Sequence, residues 1–209
     1  MPAGSKVLAR FSGGQYNAPM NSLPLYDYLQ QRLTGYQPRR VVQPDLAEAG
    51  VLVAITDEDD PSLLLTRRSV QLSTHKGEVA FPGGKRDPED DSIITTALRE
   101  AEEEVALPRD QVRVLGELDQ VVSRFGYRVT PVLGIIPPGL VLKPSPAELD
   151  ALFHVPLSYF RQPPSGYFER GSVRIPSYDF NEFHIWGLTA MMIAEMMNNL
   201  WDCDIPFRV

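Results

Sequence analysis

The spacing of apolar positions changes period at identifiable points along the chain. Leu25, Leu29 and Leu33 recur at helical spacing and predict a short amphipathic helix within residues 23–33. Gly50 to Thr56 (GVLVAIT) and Pro61 to Thr66 (PSLLLT) are β-type runs, split by the acidic tetrad Asp57-Glu58-Asp59-Asp60, which reads as a solvated hairpin turn. Val112 to Leu118 and Val129 to Ile136 read as further strands, and Trp186 to Leu200 as a Met-rich closing helix. Between these, Ile94, Leu98, Ala101 and Val105 share one stripe at about 100° per residue. Glu100, Glu103 and Glu104 fall on a different arc with Arg99 at its flank, so one helix carries a core side and a carboxylate side. Strands and helices in this order fit an α/β fold, a mixed sheet with helices on its faces.

Composition narrows the picture little. A chain of 209 residues with 43% apolar content can bury one sizeable core. Internal repeats are absent, which favours one domain over residues 41–209, preceded by an N-terminal extension over 1–40 that holds the short helix. A formal charge of -7 argues against a nucleic-acid surface, because such surfaces carry basic patches that displace phosphate counterions. The single Cys203 cannot form an intrachain disulfide, and no apolar signal stretch or membrane span follows Met1. The expected setting is a reducing cytoplasm, away from membranes; a homodimer is compatible with all of this.

Three like charges at i, i+3 and i+4 repel by a few tenths of a kcal/mol per pair, about 0.2–0.5, so the acidic arc weakens an isolated helix. The bland reading is a solvated acidic face. A hard divalent cation reverses the sign, since magnesium or manganese takes a few carboxylate oxygens and keeps room for water and phosphate. Context favours the cation: the segment FPGGKRDPEDDSIITTALREAEEEVAL joins a Gly-Gly turn and an acidic loop to the helix. From Gly84 to Leu107 it resembles the Nudix box, whose pattern is Gly, five residues, Glu, seven residues, Arg-Glu, apolar, any, Glu-Glu, any, Gly, apolar. Three departures stand out: Arg99 follows Gly84 by fifteen positions, one more than the pattern; Asp90 or Asp91, depending on the end counted from, replaces the upstream Glu; and Ala106 takes the place of Gly. A longer stretch, LLLTRRSVQLSTHKGEVAFPGGKRDPEDDSIITTALREAEEEVAL from Leu63 to Leu107, is similar to the coenzyme A pyrophosphatases of that superfamily. VTPVLGII, SPAELDALFHVPL and HIWGLTA extend the likeness through most of the chain beyond about Gly50.

The resemblance implies a Nudix-like α/β/α sandwich with a mixed β-sheet, and metal-dependent hydrolysis of a diphosphate bond. Glu100, Glu103 and Glu104 would hold Mg²⁺ or Mn²⁺, with the Gly84 carbonyl completing a shell. Arg99 would brace the loop against the helix or bind a phosphate. A general base needs a carboxylate within reach of the attacking water, and the candidates are Glu103, Glu78 and Glu148, although Glu148 also reads as the cap of a short helical segment. Phosphate grip is expected from Arg67, Arg68, Lys76, Lys85 and Arg86, and a surface for the base or the pantetheine arm from Phe125, Tyr127, Tyr167, Phe168 or Tyr178. His75, His154 and His184 show no metal-like spacing. Three functions compete: a coenzyme A pyrophosphatase yielding 3',5'-adenosine bisphosphate and 4'-phosphopantetheine; a pyrophosphatase acting on ADP-ribose, a dinucleotide or a nucleoside triphosphate; and a catalytically silent ligand-binding domain. The intact set of three glutamates argues against the last.

Overall fold

The computed structural model describes residues 23–69 and 77–208. At its centre lies β1 (Ala47–Thr56), the first apolar run extended by three residues at its N-terminal end. It pairs in parallel with β7 (Tyr127–Ile136), from Ala47 opposite Tyr127 to Thr56 opposite Ile136. Its other edge pairs antiparallel with β2 (Ser62–Arg68) and with β4 (Gly83–Lys85). The short β3 (Val79–Ala80) and the longer β8 (Leu149–Pro156) add to β2, while β5 (Arg113–Glu117) and β6 (Val121–Val122) add to β7. The result is one mixed sheet of eight strands, and β9 (Gly166–Arg170), β10 (Val173–Phe180) and β11 (Phe183–Ile185) form a second, three-stranded antiparallel sheet.

Strand alternation divides the core into two layers. Leu52 and Ala54 of β1, with Leu64, Val132 and Ile136, face Ala97, Ala101 and Val105 of α2 (Ile93–Val105). Val53 and Ile55, one position out of phase, join Leu63, Leu65 and Leu133 on the opposite face, in the cluster that includes Ile193 and Met197 of α4 (Gly187–Trp201). A period of two in the strands thus feeds two helical layers, and the α/β/α sandwich expected for this class is present. Two short helices complete it, α1 (Leu25–Leu33) and α3 (Leu157–Phe160). The described part of the expected extension is seated on α4: Leu29 is buried in the same core, Tyr28 Oη donates to the Leu200 carbonyl, and Arg32 meets Asp202 at 2.6 Å.

Two sequence readings change. The inward stripe of α2 is centred on Ala97 and Ala101, with Ile94 and Leu98 only partly buried. Glu104 follows Ala97 by seven positions, which returns it to within about 20° of that buried alanine; it therefore sits at the edge of the buried face, 3% exposed, and does not share the open arc with Glu103. Glu148 lies in a turn leading directly into strand β8, so no helix begins there for it to cap.

Candidate active site

The site begins where β4 runs against the start of α2. Ser92 caps the helix, its Oγ accepting from the Thr95 amide at 3.1 Å. Gly83 adopts φ 157°, and a Cβ there would lie 2.4 Å from the Gly50 carbonyl oxygen. A Cβ on Gly84 would lie 2.4 Å from Glu100 Cδ. The Gly-Gly turn is thus the part of the sequence that lets backbone close onto a carboxylate.

Arg99 ties this turn to the helix. Its Nε and Nη2 donate to the two oxygens of Asp90 at 3.1 and 3.0 Å, its Nη2 also reaches the Lys85 carbonyl at 3.1 Å, and its Nη1 meets Glu100 at 3.0 Å and Glu103 at 3.1 Å. Asp90 is buried and also accepts from Thr96 Oγ1 at 2.9 Å and from the Asp87 amide at 3.0 Å. The Arg99 guanidinium holds the Asp90 carboxyl far below the usual carboxylate range, and the Arg99 pKa is raised in turn. Of the two aspartates open to the role of upstream acid, Asp90 is the one that Arg99 grips, and the geometry of Arg99 is that of a brace.

Burial outweighs the nearby positive charge at two of the carboxylates. Burial pushes the Glu104 carboxyl up to about 7, opposed by the Gly83 amide, which donates to it at 3.1 Å, and by Arg68 at 3.5 Å. Burial likewise raises Glu100, opposed chiefly by Arg99. The charge of Glu148 contributes to raising both, which places that residue beside the pair, although it lies on a separate loop. The Glu148 carboxylate makes no hydrogen bond among the described residues, while Glu103 is exposed apart from its contact with Arg99. As the side chains stand, no three acids of the described residues converge on one point, because Glu100 and Glu103 are drawn onto Arg99. An all-oxygen donor set with two carboxyls raised by burial and mutual repulsion nonetheless fits a hard divalent cation, which would relieve both costs.

The expected phosphate-binding cluster is distributed rather than gathered. Neighbours on β2, Arg67 and Arg68 point to opposite faces: Arg68 reaches Glu104, whereas Arg67 pairs with Asp150 at 2.6 Å and lies over the Phe183 ring. Lys85 is exposed beside the Gly-Gly turn, with its ammonium 5.3 Å from the Tyr127 ring centre. Arg86 is a structural clamp, donating to Glu48 at 2.7 Å and to the Asp90 carbonyl at 3.1 Å. Lys76 and His75 lie outside the described residues. Burial lowers the pKa of His154, and His184 pairs with Asp179, both away from the glutamates.

Beside the turn opens a cleft of about 900 Å³, walled by Val79 and Ala80 of β3, the hairpin from Val121 to Phe125, Phe168 and Trp186. Of the expected aromatic residues, Phe125 and Phe168 line it; Tyr178 is buried in the core, Tyr127 lies under Lys85, and Tyr167 lies under Arg174. Two lining residues, Arg39 and Arg124, had no local signal in the sequence that set them apart, and Trp186 stood out only as the start of the closing helix, within HIWGLTA. Glu78, one of the base candidates, pairs with Arg124 at 2.8 Å at this cleft.

Comparisons with known proteins bear on the family and the fold. Residues 47–170 match the family model of the NUDIX domain. A Nudix hydrolase, NudL, of Photorhabdus laumondii subsp. laumondii is 46% identical over 164 residues, covering 76% of this chain and 88% of that protein. NudL of Shigella flexneri serotype 5b is 44% identical over 181 residues, covering 84% of this chain and 94% of that one. Among solved structures, a MutT/nudix family protein from Enterococcus faecalis superposes with a TM-score of 0.50 at 14% identity, covering 86% of this chain and 70% of its own, a likeness of fold alone.

Proposed function

This chain belongs to the Nudix hydrolases, and from that premise we propose that it cleaves the diphosphate bond of coenzyme A or its derivatives, giving 3',5'-adenosine bisphosphate and 4'-phosphopantetheine. Enzymes of this family generally use divalent metal cations and act on nucleoside diphosphate derivatives. The observation that carries the finer reading is the position of Arg68. The Leu-Thr-Arg-Arg-Ser run lies outside the general box and is the part that resembles the coenzyme A enzymes, yet its Arg68 reaches Glu104 of the box helix. A segment that resembles that subfamily thus reaches the box helix, and this contact supports the reading.

Glu100, Glu103 and Glu104 would hold Mg²⁺ or Mn²⁺, beside Gly84. The ion would neutralise the diphosphate oxygens and lower the pKa of the attacking water. The chain's own groups do the rest. Arg99, anchored on Asp90, keeps the glutamates in register with the turn. Glu148, on its own loop and without a hydrogen-bond partner among the described residues, takes the proton of the attacking water as general base. Lys85, exposed beside Gly84, meets the negative charge of the diphosphate.

Incubation with Mg²⁺ and a panel of coenzyme A, its 3'-dephospho form, ADP-ribose, a dinucleotide and a nucleoside triphosphate, with products identified, tests the reading. Coenzyme A should be cleaved fastest, to equal amounts of the two named products and without free phosphate. Faster turnover of ADP-ribose or of a nucleoside triphosphate would overturn it.

A further inference from the structure

We propose that the cleft beside the Gly-Gly turn seats the adenosine half of the substrate, with Arg124 reading the phosphate on its ribose. The identity of that phosphate rests on the coenzyme A reading; the seating of a nucleotide does not.

Four observations converge. First, the cleft lies close to the Gly-Gly turn along the chain: Ala80 in its wall is three residues from Gly83, at most about 10 Å of extended chain. Second, the turn that carries Arg124 and Phe125 leads into Tyr127, whose ring Lys85 reaches from beside Gly84, so one hairpin spans from cleft to turn. Third, Phe125, Phe168 and Trp186 line the cleft and are the exposed aromatic rings of the described residues, at 51%, 55% and 41%; the Arg124 guanidinium lies 4.7 Å from the Phe125 ring centre, which leaves Phe168 and Trp186 as the open rings. Exposed rings around a concave site offer stacking platforms for a planar base, which a flexible amide-bearing arm would not need. Fourth, Arg124 donates through Nη2 to Glu78 at 2.8 Å and through no other nitrogen among the described residues, and its side chain is 61% exposed.

An exposed ion pair of that kind contributes little and yields readily. A ribose phosphate gives the guanidinium a doubly charged, bidentate partner in place of a single carboxylate. Glu78 then becomes a selector. Its carboxylate repels the incoming phosphate but leaves Arg124 compensated when the cleft is empty. Arg39, the other arginine at the cleft, is committed to buried Glu195 at 2.8 Å and is not available for this role.

The test is a binding titration of the full-length protein in chelator, following tryptophan fluorescence. Of the two tryptophans, Trp186 is in the cleft and Trp201 is buried in the core. 3',5'-Adenosine bisphosphate should bind about tenfold or more tightly than 5'-AMP, the scale of one charged phosphate contact. Arg124→Gln should reduce the bisphosphate to the affinity of AMP and leave AMP unchanged, and Glu78→Gln should move the bisphosphate the other way. In Trp186→Phe the optical signal should disappear. Equal affinity for the two nucleotides, equal weakening of both by Arg124→Gln, or a response to 4'-phosphopantetheine instead would each overturn the proposal. A signal that follows protein concentration and ignores nucleotide would also overturn it, by assigning the cleft to a second copy of the chain. Because no hydrolysis is measured, failure here leaves the coenzyme A reading standing, and failure of coenzyme A turnover leaves this result intact.

Discussion

Glu103 and its neighbour Glu102 separate the chemistry of the acidic run from its charge. Glu102 points away from the turn and pairs with Arg109 at 2.7 Å, whereas Glu103 shares Arg99 with Glu100. Glu103→Gln should therefore lower kcat by about two orders of magnitude or more with folding nearly unchanged, the scale of losing a metal-activating group; Glu102→Gln should leave turnover close to wild type. Steady-state kinetics at saturating Mg²⁺ decides, and near-normal kcat for the Glu103 variant would remove it from the site. Asp90 calls for a stability measurement instead. Its folded pKa lies below the unfolded value of about 3.9, so its contribution is complete above that pH and is lost as the pH falls through the folded value. Asp90→Asn should cost about 2 kcal/mol at pH 7, the range for hydrogen bonds to a charged group, because Arg99 keeps Glu100 and Glu103 as partners. Denaturant titrations of both proteins should converge only below about pH 4; a constant gap would contradict the ion-pair account.

Helix α2 shows which parts of an element can be read in advance. Its existence follows from the 3.6-residue period, and so do Ala101 and Val105 of its inward side, whereas Ala97 takes the place expected of Ile94 and Leu98. The burial of Glu104 follows from the same angle, but a carboxylate next to two alanines reads as solvated until the Gly83 amide and Arg68 are seen to meet it. The end of the helix was also legible, as the place where Ala106 stands for the glycine of the pattern. Ala106 adopts φ 55° and ψ 36°, its amide bonds to the Glu102 carbonyl, and the Leu107 amide reaches back to Ala101 while its side chain is fully buried. This is a left-handed helix stop built without glycine. Ala106→Gly should stabilise the protein by about 1 kcal/mol, the cost of that conformation for a residue with a Cβ, with kcat unchanged. A lower midpoint in urea would show that the alanine methyl makes contacts that outweigh its strain.

At the scale of the molecule, a mixed sheet with helices on its faces was legible from the alternating periods of strands and helices, and the sandwich from the resemblance, while the cleft was not. Its walls come from residues near 39, 79, 123, 168 and 186, and no local pattern announces a surface assembled from five separate stretches. Another such assembly joins the N-terminal arm to α4: Tyr36 Oη and the Arg39 amide each donate to Asp119 at 2.7 Å, and Arg39 holds Glu195. Burial pushes Glu195 up to about 7, above its unfolded value of about 4.3. A raised acid contributes stability that is complete below the unfolded pKa and is lost as pH rises through the folded one. Melting temperatures in chelator should accordingly fall between about pH 4.5 and 7, and Glu195→Gln should flatten that fall while keeping its hydrogen bond to Arg39. Parallel profiles for the two proteins would exclude this clasp as the source.

The parallel seam between β1 and β7 also governs how the chain reaches its native state. Ala47 must find Tyr127 across 79 intervening positions, and no tight turn can bring the two together. Closing so long a loop costs entropy before any contact rewards it, so this pairing should make folding slower than in a domain built from local contacts. During synthesis, β1 emerges and waits with an unpaired apolar edge until Tyr127 to Ile136 has left the ribosome. The acidic box helix is made within that same interval, which places a soluble, charged segment beside the exposed strand while it is most prone to pair with another chain.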